Sequence, residues 1–72
     1  MKRWYIVRWT QWDYFENGFN ILGAVYESKA DAMAEFDRME LSVDVPNVQV
    51  WEQLCKNDGF VQAQRRLAIK EF

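Results

Sequence analysis

Seventy-two residues with a formal charge of −2 allow one domain with a small core, and the half of them that are apolar exclude an intrinsically disordered chain. One cysteine rules out an internal disulfide and any multi-cysteine metal site. The lack of histidine removes the commonest general base near neutral pH and the commonest zinc ligand. No apolar run is long enough to span a bilayer, and no signal-type segment follows the basic start Met1-Lys2-Arg3-Trp4, so a cytoplasmic protein with no membrane partner is expected.

Arg3–Trp12 is rich in aromatic and β-branched residues and predicts the first strand. Alternation sends Tyr5, Val7 and Trp9 to one side, and Trp4, Ile6, Arg8, Thr10 and Trp12 to the other. The first set is the better candidate to face a helix. The second is too apolar for an ordinary solvent face.

Asp13–Gly18 predicts a loop, since Asn17 and Gly18 both tolerate positive φ. Tyr14 and Phe15 at its tip are expected to fold back over an open end of the core. Phe19–Glu27 predicts a second strand in hairpin with the first. Phe19, Ile21 and Val25 lie on one of its faces, and Leu22, Ala24 and Tyr26 on the other. Gly23 suggests a bulge or a close approach there.

Ser28–Leu41 predicts the single helix. Ser28 caps the start, with Asp31 at the third position of a capping box, and the interior holds no Gly, Pro or β-branched residue. At about 100° per residue, Ala32, Met33, Phe36 and Met39 share one side. The alanines let such a helix lie close to a sheet while Met33 and Phe36 fill the gap. The run Ser42-Val43-Asp44-Val45-Pro46 is expected to end it.

Val48–Leu54 predicts a third strand, with Glu52 intruding on the apolar parity of Val48, Val50 and Leu54 and calling for a partner such as Arg65. Asn57-Asp58-Gly59 predicts a turn. Val61–Phe72 reads as a fourth strand with Ala63, Leu67 and Ile69 on one face and Gln64, Arg66, Ala68 and Lys70 on the other. A helix over 62–70 is the alternative, and gives ββαβα.

Together these elements predict a single α+β domain over residues 1–72. A four-stranded, mainly antiparallel sheet carries one helix on one face (ββαββ). Strand order 2-1-3-4 is preferred, with 2-1-4-3 as runner-up.

No catalytic constellation emerges. The glycines form no phosphate loop, and Cys55 has no imidazole to activate it. The chain therefore reads as non-enzymatic, without cofactor or metal. If the helix shields only one side of the sheet, Trp4, Ile6, Arg8, Trp12, Tyr26, Trp51 and Arg66 are the candidate interface. Trp, Tyr and Arg are favoured at the centres of protein contacts. The expected partner is a second copy of the chain or another protein. Single-stranded nucleic acid is the alternative, with bases stacking on Trp4 and Trp51 and phosphates meeting Arg8, Arg66 and Lys70, but the net acidity of the chain weighs against it.

Overall fold

The computed structural model describes residues 1–72. Strands β1 (Lys2–Asp13) and β2 (Gly18–Tyr26) precede helix α1 (Lys29–Arg38), and β3 (Asn47–Cys55) and β4 (Val61–Glu71) follow it. The four strands form one sheet in the order β2-β1-β3-β4, with every neighbouring pair antiparallel. The C-terminal segment is a strand, so ββαββ holds and the helical alternative does not. No helix is long and apolar enough to cross a membrane.

Both hairpins close on the residues that tolerate φ > 0. Asn17 sits at φ 58° and Gly59 at φ 90°. Asp13 organises the first loop, its Oδ1 accepting from Phe15 N at 2.8 Å and Glu16 N at 3.2 Å. Asp58 does the same for Phe60 N at 3.1 Å in the second.

The core lies between α1 and the middle of the sheet. Val7, Val48 and Val50 are fully buried beneath Ala32 and Phe36. Tyr5, Trp9, Tyr26, Met33 and Met39 pack around them. Alanine at position 32 brings the helix backbone close to the valines, and Phe36 fills the space beside it. The Ser28 hydroxyl accepts from Asp31 N at 3.4 Å and caps the first turn.

The helix ends earlier than the sequence suggests. Met39 already has extended dihedrals, φ −70° and ψ 128°, and its N–H closes the last turn on Glu35 O at 3.1 Å. The Met39 carbonyl instead accepts from the Lys70 ammonium. The chain needs residues 39–46 to descend to β3, and Leu41 and Val45 pack on the core along the way. Tertiary packing ends the helix before the β-branched run is reached.

The second departure is in β4. Its pairing with β3 shifts between Val50 and Trp51, so that Val50 pairs with Ala68 and Trp51 with Arg66, leaving Leu67 extra. The bulge reverses parity along the strand. Ile69 pairs with Gln49 and Lys70 with Val48, so Ile69 takes the open face and Lys70 the helix face. There the Lys70 ammonium also sits 4.9 Å from the Phe36 ring centroid. The expected irregularity at Gly23 is absent: Gly23 pairs with Arg8 in unbroken register.

A core of this size makes each large side chain count. Phe36→Ala should destabilise the domain by about 3–5 kcal/mol, which for a domain this small is most of its stability. A urea titration followed by tryptophan fluorescence should show the midpoint collapse, whereas Ala34→Ser on the exposed side should leave it within about 0.5 kcal/mol of the parent.

Candidate association surface on the open sheet face

Helix α1 lies over β1, β2 and β3 on one side of the sheet only. The other side has no second layer. Trp4, Ile6, Arg8 and Trp12 of β1 point to it. Because paired residues in an antiparallel ladder share a face, their partners do too. Ile6 pairs with Val25 and Trp51, and Trp51 with Arg66. Trp12 pairs with Phe19, and Thr10 with Ile21.

Six of the seven candidate residues therefore meet on this face: Trp4, Ile6, Arg8, Trp12, Trp51 and Arg66. Tyr26 does not. It pairs with Tyr5 and packs against the core beneath the helix. Lys70, expected to offer a cation here, lies on the opposite side because of the bulge at Leu67.

Three residues left out of the candidate set are the most exposed apolar groups on the face: Ile21 (74%), Val25 (62%) and Phe19 (53%). Their signal was present in the Asn17-Gly18 turn. Counting back from it sets Phe19 against Trp12 and Val25 against Ile6.

The open face builds a thin core of its own. Ile6 is only 7% exposed although no element covers it. Trp51 and Val25 flank it across the strands, and Trp4 and Arg8 lie two residues away on its own strand. The indoles lie under cations. Lys2 Nζ is 4.2 Å from the Trp4 ring centroid, and the Arg8 guanidinium carbon is 5.4 Å from that of Trp51. Trp51 Nε1 donates to Gln49 Oε1 at 2.8 Å. Trp12 meets Phe19 edge-on at 4.9 Å. The apolar surface is densest on β2 and β1. Toward β4 it passes into Gln49, Gln53, Gln64 and Arg66.

The hairpin tip departs from expectation. Phe15 is 100% exposed and Tyr14 largely so, and neither covers the core. Tyr14 is tethered sideways, its hydroxyl donating to Asp44 Oδ2 at 2.6 Å, while Trp12 N donates to Asp44 O at 2.8 Å. Asp44 is held in a turn in which Ser42 Oγ accepts from Asp44 N and Val45 N. The α1–β3 connection thus clamps the end of the first hairpin. A shallow cavity of about 400 Å³ lies beside the tip, walled by Trp12, Asp13, Tyr14, Phe15, Asn20 and Leu22 among others.

The carboxylate that stands among apolar residues of β3 is taken up in ion pairs. Glu52 accepts from Arg65 Nε at 3.0 Å and lies 3.9 Å from Arg3 Nε, as its place among apolar neighbours required. The basic ends of the chain meet around this carboxylate on the helix side of the sheet, at a small cleft of about 150 Å³ lined by Arg3, Glu52 and Arg65. Cys55 is a buried thiol. No group of three or more potential ligands is placed to hold a metal ion.

In comparison with known proteins, no family model, curated sequence or solved structure matches this chain.

The hydrogen bond to Asp44, assisted by slight desolvation and by the carboxylate charge, raises the Tyr14 phenol above its ordinary pKa. A raised pKa means that the folded loop favours the neutral phenol. The tether therefore persists below about pH 10 and is lost as pH rises through the Tyr14 value. Titration of tyrosinate absorbance should show a late-ionising component that disappears in Asp44→Asn. An unchanged titration curve in that variant would show that Asp44 does not set the ionisation of Tyr14.

Proposed function

We propose that this is a non-enzymatic protein that works by associating with a protein partner, a second copy or another chain, through the apolar half of the open sheet face. One observation carries the reading. Ile21, Val25 and Phe19 stand exposed in continuity with Ile6, Trp12 and Trp51, on a face that no other part of the chain covers. Isolated exposed apolar residues are ordinary, but a contiguous patch rimmed by polar groups marks an interaction site. Here the rim is formed by Arg8, Arg66 and the glutamines of β3 and β4.

Single-stranded nucleic acid suits the surface less well. Lys2 and Arg8 already lie over the indole faces that bases would need, and Lys70, one of the expected phosphate contacts, is on the other side of the sheet.

Trp51→Gln combined with Ile69→Lys removes the ring beside Ile6 and adds charge at the rim. The variant should keep its far-ultraviolet circular dichroism. Its affinity for a protein partner bound through this face should fall roughly a hundredfold, as expected for loss of an aromatic anchor. Sedimentation velocity of the chain at rising concentration, with and without the double substitution, shows whether any self-association runs through this face. Single-stranded oligonucleotide at low salt should leave tryptophan emission unchanged. Strong salt-sensitive quenching would transfer the assignment to nucleic acid.

A further inference from the structure

The two edges of the sheet are built differently. β4 carries Arg65, Arg66, Lys70 and Glu71 and is broken by the bulge at Leu67, both of which discourage another strand from adding. β2, Gly-Phe-Asn-Ile-Leu-Gly-Ala-Val-Tyr, has no charge, no proline and no bulge over nine residues. It is an unprotected edge.

The direction of its backbone groups follows from one hydrogen bond. Trp12 N donates to Asp44 O, on the side of β1 away from β2. In an antiparallel ladder a residue's N–H and C=O point the same way, and that direction alternates along the strand. Even-numbered residues of β1 therefore bond toward β3, and odd-numbered ones toward β2. Their partners Gly18, Asn20, Leu22, Ala24 and Tyr26 face inward. Phe19, Ile21, Gly23 and Val25 present their N–H and C=O groups to the open edge.

We infer that β2 is the dimerisation strand of this protein. A second copy adds antiparallel along it, about a two-fold axis through Leu22, to give a continuous eight-stranded sheet. This goes beyond the association reading, since it places self-association on the sheet edge beside the open face and leaves that face free for another protein.

The register is fixed by self-complementarity. An axis at Leu22 pairs Phe19 with Val25 of the second copy and Ile21 with its Gly23, so all four outward-facing residues are bonded on both chains. An axis at Ile21 sends Val25 against the Asn17 turn. An axis at Gly23 sets Phe19 against Glu27. Only the Leu22 axis uses the whole edge without burying a carboxylate.

The side chains agree with the backbone. On the open face the row Trp51–Ile6–Val25 of one copy continues into Phe19–Trp12 of the other. On the helix face Leu22, 41% exposed in the single chain, meets its symmetry mate and joins the two Trp9 rings into one row. Aromatic and β-branched cross-strand pairs of this kind are favourable, and a two-fold interface is the commonest way for a chain to self-associate.

Position 22 makes the test specific, because it lies at the edge but not on the open face. Analytical ultracentrifugation of the full chain should give twice the 8.7 kDa protomer mass. Leu22→Lys and Leu22→Glu, each placing like charges across the axis, should weaken the dimer roughly tenfold or more. An equimolar mixture of the two should restore it as a heterodimer. Circular dichroism checks that both variants fold.

A wild-type chain that stays at 8.7 kDa at millimolar concentration overturns the inference and leaves a different protein as partner of the open face. A dimer indifferent to both Leu22 variants but broken by Trp51→Gln with Ile69→Lys overturns it too, and assigns self-association to face-to-face docking. Loss of the dimer in the Leu22 variants alone, with rescue on mixing, supports it.

Discussion

One short helix has to serve a sheet of four strands, and everything distinctive about this protein follows from that mismatch. The helix has ten residues, about 15 Å of rise. β1 has twelve, about 40 Å when extended. The helix can bury the middle of one face and nothing more. Val7, Val48 and Val50 vanish beneath it while the far ends of the strands and the whole reverse side stay open. The molecule is accordingly a flat plate, 38 × 25 × 15 Å.

A plate has little interior, and the chain compensates with size and with cations. Trp9 and Tyr26 widen the buried layer around the valines, and Lys70 caps both the Phe36 ring and the last carbonyl of the helix end. On the reverse side Trp51, Val25 and Arg8 shelter Ile6 without a covering element. A large ring can lie across its neighbours and remove water from a smaller side chain beneath it. This gives a second, shallower core whose outer surface is itself apolar. The side chains that shelter Ile6 from behind are the ones that leave the reverse face apolar.

The two edges of the sheet differ as well. Charge and a bulge protect β4, while β2 carries neither. The most exposed apolar side chains of the reverse face also lie on β2, so face and edge form one surface that turns a corner. The clamp of Asp44 on Trp12 and Tyr14 holds the end of this surface in place, since it ties the tip of the first hairpin to the connection that follows the helix.

The order of elements, the strand order and the side of β1 that meets the helix were all legible in the residues themselves. Turn chemistry at Asn17 and Gly59, period-two alternation in β1 and helical spacing at Ala32, Met33, Phe36 and Met39 are local signals, and they agreed with one another. Glu52 announced its need for Arg65 by standing among valines. What the sequence could not express was an irregularity that exists only in a strand's pairing with its neighbour. Leu67 looks like any other strand residue, and only its pairing with β3 makes it a bulge, so the faces assigned to Ile69 and Lys70 came out reversed. Tyr26 lies on the helix side, away from the candidate surface, because the register that runs back from the Asn17-Gly18 turn pairs it with Tyr5. The helix stopped at Arg38, although its propensity continued, because the path down to β3 had to begin there. Side-chain alternation and capping are properties of neighbouring residues. Bulges and the length of chain needed to cross between layers are set by distances in the folded molecule, and only tertiary structure supplies them.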